Sequence, residues 1–134
     1  MKKFKKTVNL APTDKQLDKL WGDCVKARAG MKSEFSGNPG ILHPHHIMQK
    51  PNHRLRWELD NGVCLTGGEH FGWHRQAKSS WDADRKMADK AKALFLEMRG
   101  TTEEKLLILK RQSGGVDKFL VKIYLTQKLA EFQK

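Results

Sequence analysis

The sequence predicts an α+β domain that is mostly helical, with a short two-stranded element in its middle. Apolar residues recur at helical spacing near the N-terminus and again from residue 80 onward. Between these regions, residues 31–76 hold three of the four prolines and all six histidines. This composition is typical of loops and short elements, where functional residues concentrate. A length of 134 residues fits one domain, 1–134, with a modest core.

The N-terminal helix is predicted over residues 14–29. Its apolar residues recur at helical spacing: Leu17, Leu20, Trp21, Cys24 and Val25. Thr13 can cap the start of this helix, and Gly30 stands where it would stop. The pattern therefore indicates an amphipathic helix with one buried face.

Residues 80–134 are predicted to form three C-terminal helices. The first ends at Gly100, and the second begins at residues 101–104, a TTEE sequence that resembles a capping box. The third follows the break at residues 114–115. Their mixed charges are typical of solvated helix faces.

The middle of the chain, residues 42–76, is predicted to hold two antiparallel strands followed by a helix. Apolar runs at residues 42–47 and 63–65 are separated by a polar loop, and a turn signal at residues 60–62 precedes the second run. A helix can begin after residues 67–68, which places His70 and His74 four residues apart on one face. Such a pair, facing a third histidine on a strand, can present three imidazoles to one metal ion.

The charge of the chain points to a polyanionic partner. A formal net charge of +11 and a pI near 9.8 make nucleic acid the first candidate, since cations that dock on phosphates release condensed counterions. No stretch approaches the roughly 20 apolar residues of a membrane span, and the N-terminal residues lack the apolar core of a signal peptide. We therefore expect a soluble, intracellular protein without a membrane partner. Cys24 and Cys64 alone support neither a disulfide framework nor a four-cysteine zinc site.

The spacing of five residues resembles the HNH endonucleases, also called His-Me or ββα-metal finger nucleases. The family pattern is His or Asp, then His, a later Asn, then His, often with a further His or Asn four residues on. The matching positions, separated by 1, 15, 9 and 4 residues, are His45, His46, Asn61, His70 and His74. The spacing is similar to that of DNase colicins, and the flanking HHIMQK, LRWELDNGVCL and GEHFGWH resemble phage HNH proteins. The resemblance implies a single mostly helical domain around a central ββα-metal finger, residues 42–76.

The resemblance also implies the role of each residue. His45, His70 and His74 would bind one divalent ion: Mg²⁺, Mn²⁺, Ni²⁺ or Zn²⁺. His46, on the opposite face of the strand, would be the general base, and an imidazole suits this role because its ordinary pKa of about 6.5 leaves it mostly free at neutral pH. Asn61 would brace the loop that carries His46. The implied reaction is hydrolysis of DNA to a 5′-phosphate and a 3′-hydroxyl, in a bacterial cytoplasm if the chain is phage-encoded.

One departure from the family concerns structural zinc. Many members hold a zinc ion with two Cys-x-x-Cys pairs, and the aligned positions here are Ser33, Ser36, Thr66 and Glu69. All four cysteines are absent, so we expect no structural zinc. We expect this region to be held instead by packing of three apolar residues, Phe35, Ile41 and Leu42.

Basic and aromatic residues near the pattern are candidates for contact with nucleic acid. Four cations flank the site and are candidates for phosphate binding: Lys50, Arg54, Arg56 and Arg75. Arg56 is the first to test, because an LR pair before the motif Asn recurs in the phage-like members. Trp57 and Trp73 are predicted to pack in the core rather than stack on bases. His43 and His53 lie outside the pattern and are predicted to be at the surface or to support a ligand.

Two other functions are compatible with this pattern. The first is a non-catalytic nucleic-acid-binding module with the same fold, and the presence of His46 favours the enzyme over it. The second is a structural zinc domain, which would unfold when its metal is removed, whereas the nuclease would stay folded. The sequence leaves open whether the protein is a monomer or a homodimer.

Overall fold

A computed structural model describes residues 11–49, 52–112 and 114–134 of the chain. The elements in these ranges are α1 (Asp14–Arg28), β1 (Leu42–His46), α2 (His53–Arg56), a 3₁₀ turn (Leu59–Asn61), β2 (Gly62–Thr66), α3 (Gly67–Ala77), α4 (Asp82–Met98), α5 (Glu103–Lys110) and α6 (Lys118–Phe132). The prediction of a mostly helical α+β fold is confirmed. None of the described helices is both long enough and apolar enough to pass through a lipid bilayer.

Local capping explains where several helices begin and end. The Thr13 side chain accepts a hydrogen bond from the backbone N–H three residues on, as predicted for the start of α1. Gly30 and Gly100, with φ of 72° and 67°, follow the ends of α1 and α4 in the left-handed conformation. The cap of α5 is Thr102 rather than Thr101, so the predicted capping box is displaced by one residue.

The two strands form one antiparallel pair, with Leu42 opposite Thr66 and His46 opposite Gly62. Helix α3 follows β2 directly, so the predicted order of strand, strand and helix is confirmed. The connection between the strands is not a simple loop, because it contains α2 and the 3₁₀ turn. Successive residues of each strand point to opposite faces of the sheet, and each face packs against different helices.

Two apolar clusters cover the two faces of the sheet, and alternate residues of β2 belong to different clusters. Val63 and Leu65 join the first cluster, which contains Ile47, Met48, Leu55, Trp73, Ala88, Phe95, Leu96 and Leu106. Cys64 joins the second, which contains Leu17, Trp21, Cys24, Val25, Trp57, Leu59 and Leu125. Trp57 and Trp73 are buried, as predicted. Helices α3 and α4 therefore back one face, and α1 and α6 back the other.

Gly62 allows α1 to approach the sheet closely. A Cβ atom at this position would lie 2.7 Å from Cζ2 of Trp21 and 2.8 Å from Cγ2 of Val25. Its φ of −125° is ordinary extended backbone. The glycine that the sequence marks as part of a turn is thus a strand residue that makes room for Trp21.

Candidate functional site

The three predicted metal ligands come together between β1 and α3. One ring nitrogen from each of His45, His70 and His74 lies within 4.8 Å of the others. β1 supplies His45, and α3 supplies the other two from successive turns. The ring centroids of His45 lie 4.9 Å from His70 and 5.4 Å from His74. The three imidazoles therefore face one small volume.

His45 is the most constrained of the three. It is 1% exposed, and its ring packs against Trp73 and Phe95 with centroid distances of 4.7 and 6.1 Å. Neither of its ring nitrogens has a hydrogen-bond partner among the described residues. Burial, followed by the neighbouring His70 and His74, lowers the pKa of His45 to about 3. The ring is therefore neutral and keeps a lone pair.

The two histidines of α3 are also held in the neutral form. Burial, followed by His74 and His43, lowers the pKa of His70 to about 4. Burial and the charge of Lys78 lower the pKa of His74. The Nε2 atoms of His70 and His74 are 3.0 Å apart. Two ligands each about 2.1 Å from one ion are separated by about 3.0 Å when they subtend a right angle, so the pair fits a shared divalent ion.

His46 lies on the other face of β1, as predicted. Its ring stacks on Trp21, with centroids 4.2 Å apart and planes within 9°. Its Nε2 is 2.9 Å from the carbonyl oxygen of Arg56. A carbonyl oxygen only accepts, so Nε2–H must donate, and the lone pair of the neutral ring is on Nδ1. Burial lowers the pKa of His46 despite this hydrogen bond and the nearby Asp18, which favours the form able to accept a proton.

Asn61 holds the chain that follows β1. Its side chain is fully buried. Its Oδ1 accepts from the backbone N–H of Met48 at 2.7 Å, and its Nδ2 donates to the carbonyls of Met48 and Leu55, each at 3.4 Å. The Asn61 carbonyl accepts from the N–H of Ile47 at 2.9 Å. These bonds brace the backbone next to His46, which is the contact that the resemblance implies.

The four residues aligned with the absent cysteines form a hydrogen-bonded clasp, defined as Ser33, Ser36, Thr66 and Glu69. The hydroxyl of Ser33 donates to Oε1 of Glu69 at 2.6 Å, and the N–H of Thr66 donates to the same oxygen at 2.9 Å. Burial raises the pKa of Glu69, but hydrogen bonds from Ser33, Ser36 and Thr66 outweigh it and lower that pKa.

The predicted packing of this region is wrong for two of three residues. Phe35 and Ile41 are 56% and 80% exposed, and Leu42 is half-buried. Apolar contact among them therefore does not hold the loop before β1. The clasp does so, together with Glu34, which exchanges hydrogen bonds with the backbone of Cys64 and forms a largely buried ion pair with Arg99.

The basic residues that flank the site differ in their partners and in their exposure. The guanidinium of Arg56 donates to the Asp18 carboxylate at 2.8 and 2.7 Å and lies 3.3 Å from Asp14, so two acids offset its charge. Arg54 donates to the carbonyl of Gly114. Arg75 is exposed on α3. Lys50 lies outside the described residues.

His43 and His53, the two histidines outside the spacing pattern, lie in different parts of the structure. The Nδ1 of His43 is 3.2 Å from the Nδ1 of His70, so His43 adjoins the metal-ligand candidates. A signal for this was present, since residues 43 and 45 of a strand share one face. His53 instead lies 3.3 Å from a carboxylate oxygen of Asp14 and stacks on Trp57.

Comparison with protein-family models, curated proteins and solved structures gives no match to this chain. Function is therefore inferred from the site itself. The site offers three neutral imidazoles facing one point and, across the strand, a fourth whose free nitrogen is set by a hydrogen bond.

Proposed function

We propose that this protein is a metal-dependent DNA endonuclease of the HNH kind, which hydrolyses phosphodiester bonds to a 5′-phosphate and a 3′-hydroxyl. The observation that carries the proposal is the burial of His45 with both ring nitrogens unpartnered among the described residues, beside His70 and His74. A buried polar group without a partner costs about 1–3 kcal/mol. Coordination of a metal ion is the chemistry that would offset this cost.

His45, His70 and His74 would hold the ion through neutral imidazole nitrogens. Three nitrogen donors suit Ni²⁺ or Zn²⁺ better than Mg²⁺ or Mn²⁺, which prefer oxygen ligands. When bound, a divalent ion stabilises charge that develops on the phosphate and on the leaving oxygen. Trp73 and Phe95 form an apolar wall against the His45 ring, which would limit the access of water to that side of the ion.

His46 would act as the general base. Its Nδ1 carries the lone pair, and the proton of an attacking water would move to that atom. The Arg56 carbonyl and the Trp21 ring fix the orientation of the imidazole, and Asn61 holds the adjoining backbone. General-base catalysis of this kind contributes about 10²–10⁴-fold to the rate.

The charge of the chain supports DNA as the substrate. The net charge of +11 attracts phosphate backbones. Arg75 and Lys78 are exposed near the end of α3, within one turn of His74. Cations in this place would draw the backbone toward the three ligand histidines.

Plasmid cleavage tests the proposal. Supercoiled plasmid is incubated with the parent, with His46→Ala and with the control His53→Ala, in Mg²⁺, Mn²⁺, Ni²⁺, Zn²⁺ or EDTA. We expect cutting by the parent and the control with a metal ion, loss of about 10²–10⁴-fold in His46→Ala, and metal binding by all three. Nicks that DNA ligase reseals would establish the predicted end groups. If no protein cuts with any ion while all bind DNA, a non-catalytic binding module replaces the nuclease.

A further inference from the structure

We propose that His43 is a positioning residue of the metal site, which holds His70 in the tautomer that presents Nε2 to the ion. The inference rests on the metal site of the proposed function. His43 is not one of the three ligand candidates, and it lies beside Nδ1 of His70, whereas Nε2 of His70 faces His74. It would act through His70, as a hydrogen-bond acceptor.

The fold places His43 directly beside His70. His43 and His45 are alternate residues of β1 and so point to the same face of the sheet. The two rings meet edge to face, with centroids 5.4 Å apart and planes at 89°. The His43 ring also lies over the first residue of α3, since a Cβ at Gly67 would be 3.4 Å from two of its ring atoms. The His43 ring therefore lies close to both the start of α3 and the His70 ring.

Both nitrogens of His70 are engaged. Its Nε2 is 3.0 Å from the Nε2 of His74, and its Nδ1 is 3.2 Å from the Nδ1 of His43. A neutral imidazole has one N–H and one lone pair. When Nε2 of His70 gives its lone pair to an ion, the hydrogen is on Nδ1 and needs an acceptor. The Nδ1 of His43 stands at the required distance, with its own hydrogen on Nε2.

This arrangement has a measurable consequence for metal affinity. A metal-bound histidine generally donates its second N–H to a fixed acceptor, and loss of that acceptor costs about 10–100-fold in affinity. His43→Ala removes the acceptor. His43→Asn retains one, since the amide oxygen of asparagine lies near the place of Nδ1. His43 is exposed, so the domain is expected to fold in either variant.

The experiment is calorimetric titration of the full chain with Zn²⁺ or Ni²⁺ at neutral pH, with competition by a chelator where binding is tight. We expect His43→Ala to bind about 10–100-fold more weakly than the parent and His43→Asn to bind within about threefold of it. The matched control, His53→Ala, removes a histidine from another part of the surface and should bind as the parent does. In the Zn²⁺-loaded parent, nitrogen NMR should show the hydrogen of His70 on Nδ1.

A second variant separates this inference from the proposed function. His70→Ala removes a ligand and should abolish binding. If His70→Ala abolishes binding while His43→Ala binds like the parent, the positioning role is refuted and the metal site stands. Equal weakening by His43→Ala and His43→Asn refutes the acceptor role as well. If His70→Ala binds as tightly as the parent, the metal site itself is refuted.

Discussion

Replacement of His45 by leucine should stabilise the metal-free protein, although most substitutions in a core destabilise. The imidazole is 1% exposed and packs against Trp73 and Phe95. Neither of its ring nitrogens has a hydrogen-bond partner in the described part of the chain. Leucine is similar in volume and would fill the same apolar space without burying a polar atom.

The size of the effect depends on pH. At neutral pH, removal of an unpartnered polar group is worth about 1–3 kcal/mol, less about 1 kcal/mol for imperfect packing. The pKa of His45 falls from 6.5 to about 3 on folding, so the unfolded chain binds a proton that the folded chain rejects. Stability present above pH 6.5 is therefore lost as the pH falls toward 3. The loss is about 2 kcal/mol at about pH 5. The leucine variant does not show this loss, because leucine has no group that binds a proton.

Urea denaturation in EDTA measures both contributions to stability, the burial of an unpartnered polar group and the proton that the unfolded chain binds. We expect His45→Leu to exceed the parent in free energy of unfolding by up to about 2 kcal/mol at neutral pH and by about 2–4 kcal/mol near pH 5. The control His53→Leu alters an exposed histidine and should show no such gain. Added Ni²⁺ should stabilise the parent and not His45→Leu. A leucine variant less stable than the parent at both pH values would show that the ring nitrogens are satisfied, and the argument for a metal ligand would fail.

Three further predictions follow from the packing. Gly62→Ala should lower the free energy of unfolding by about 1–3 kcal/mol and reduce plasmid cleavage, because its Cβ would press on the Trp21 ring that stacks on His46. The control is Gly68→Ala, whose Cβ meets nothing within 4 Å, and equal melting temperatures for the two variants would contradict this prediction. Burial raises the pKa of Cys24 and of Cys64 to about 11, so a thiol-reactive chromophore at mildly alkaline pH should label them only after denaturant is added, and rapid labelling of the native protein would be inconsistent with this packing. EDTA should leave a cooperative thermal transition followed by circular dichroism, since the two apolar clusters form a core without an ion; collapse of the helical signal in EDTA would indicate a structural zinc domain instead.

Local signals in the sequence predicted most of the fold. The helix expected over residues 14–29 is observed at Asp14–Arg28, because its cap and its apolar spacing are properties of neighbouring residues. Two adjacent threonines explain why the cap of α5 was displaced by one residue. Helix α2 and the 3₁₀ turn, of four and three residues, were missed because elements this short show no period.

The site was predictable to the extent that it depends on spacing. Strand alternation separates His45 from His46, and helical spacing pairs His70 with His74. Contacts between distant segments left no such signal. Two contacts depend on how α1 packs against the rest of the fold: the stack of Trp21 on His46 and the ion pair of Asp18 with Arg56. No local sequence pattern predicts this packing. The packing predicted for Phe35, Ile41 and Leu42 was wrong for a related reason, because the clasp joins Ser33 to Glu69, 36 residues apart in the chain, and no local pattern indicates that contact.

In the proposed enzyme, the two faces of β1 would separate two kinds of chemistry that would otherwise interfere with each other. A general base must keep its lone pair for a proton, and a ligand must give its lone pair to an ion. Adjacent strand residues point in opposite directions, so His45 faces the other ligand candidates while His46 faces a cleft lined by Asp18, Trp21 and Arg56. Different helices pack against the two faces: α3 and α4 cover the face of His45, and α1 covers the face of His46. Helix α1 is therefore part of the support for the proposed general base, although it contains none of the five residues in the spacing pattern.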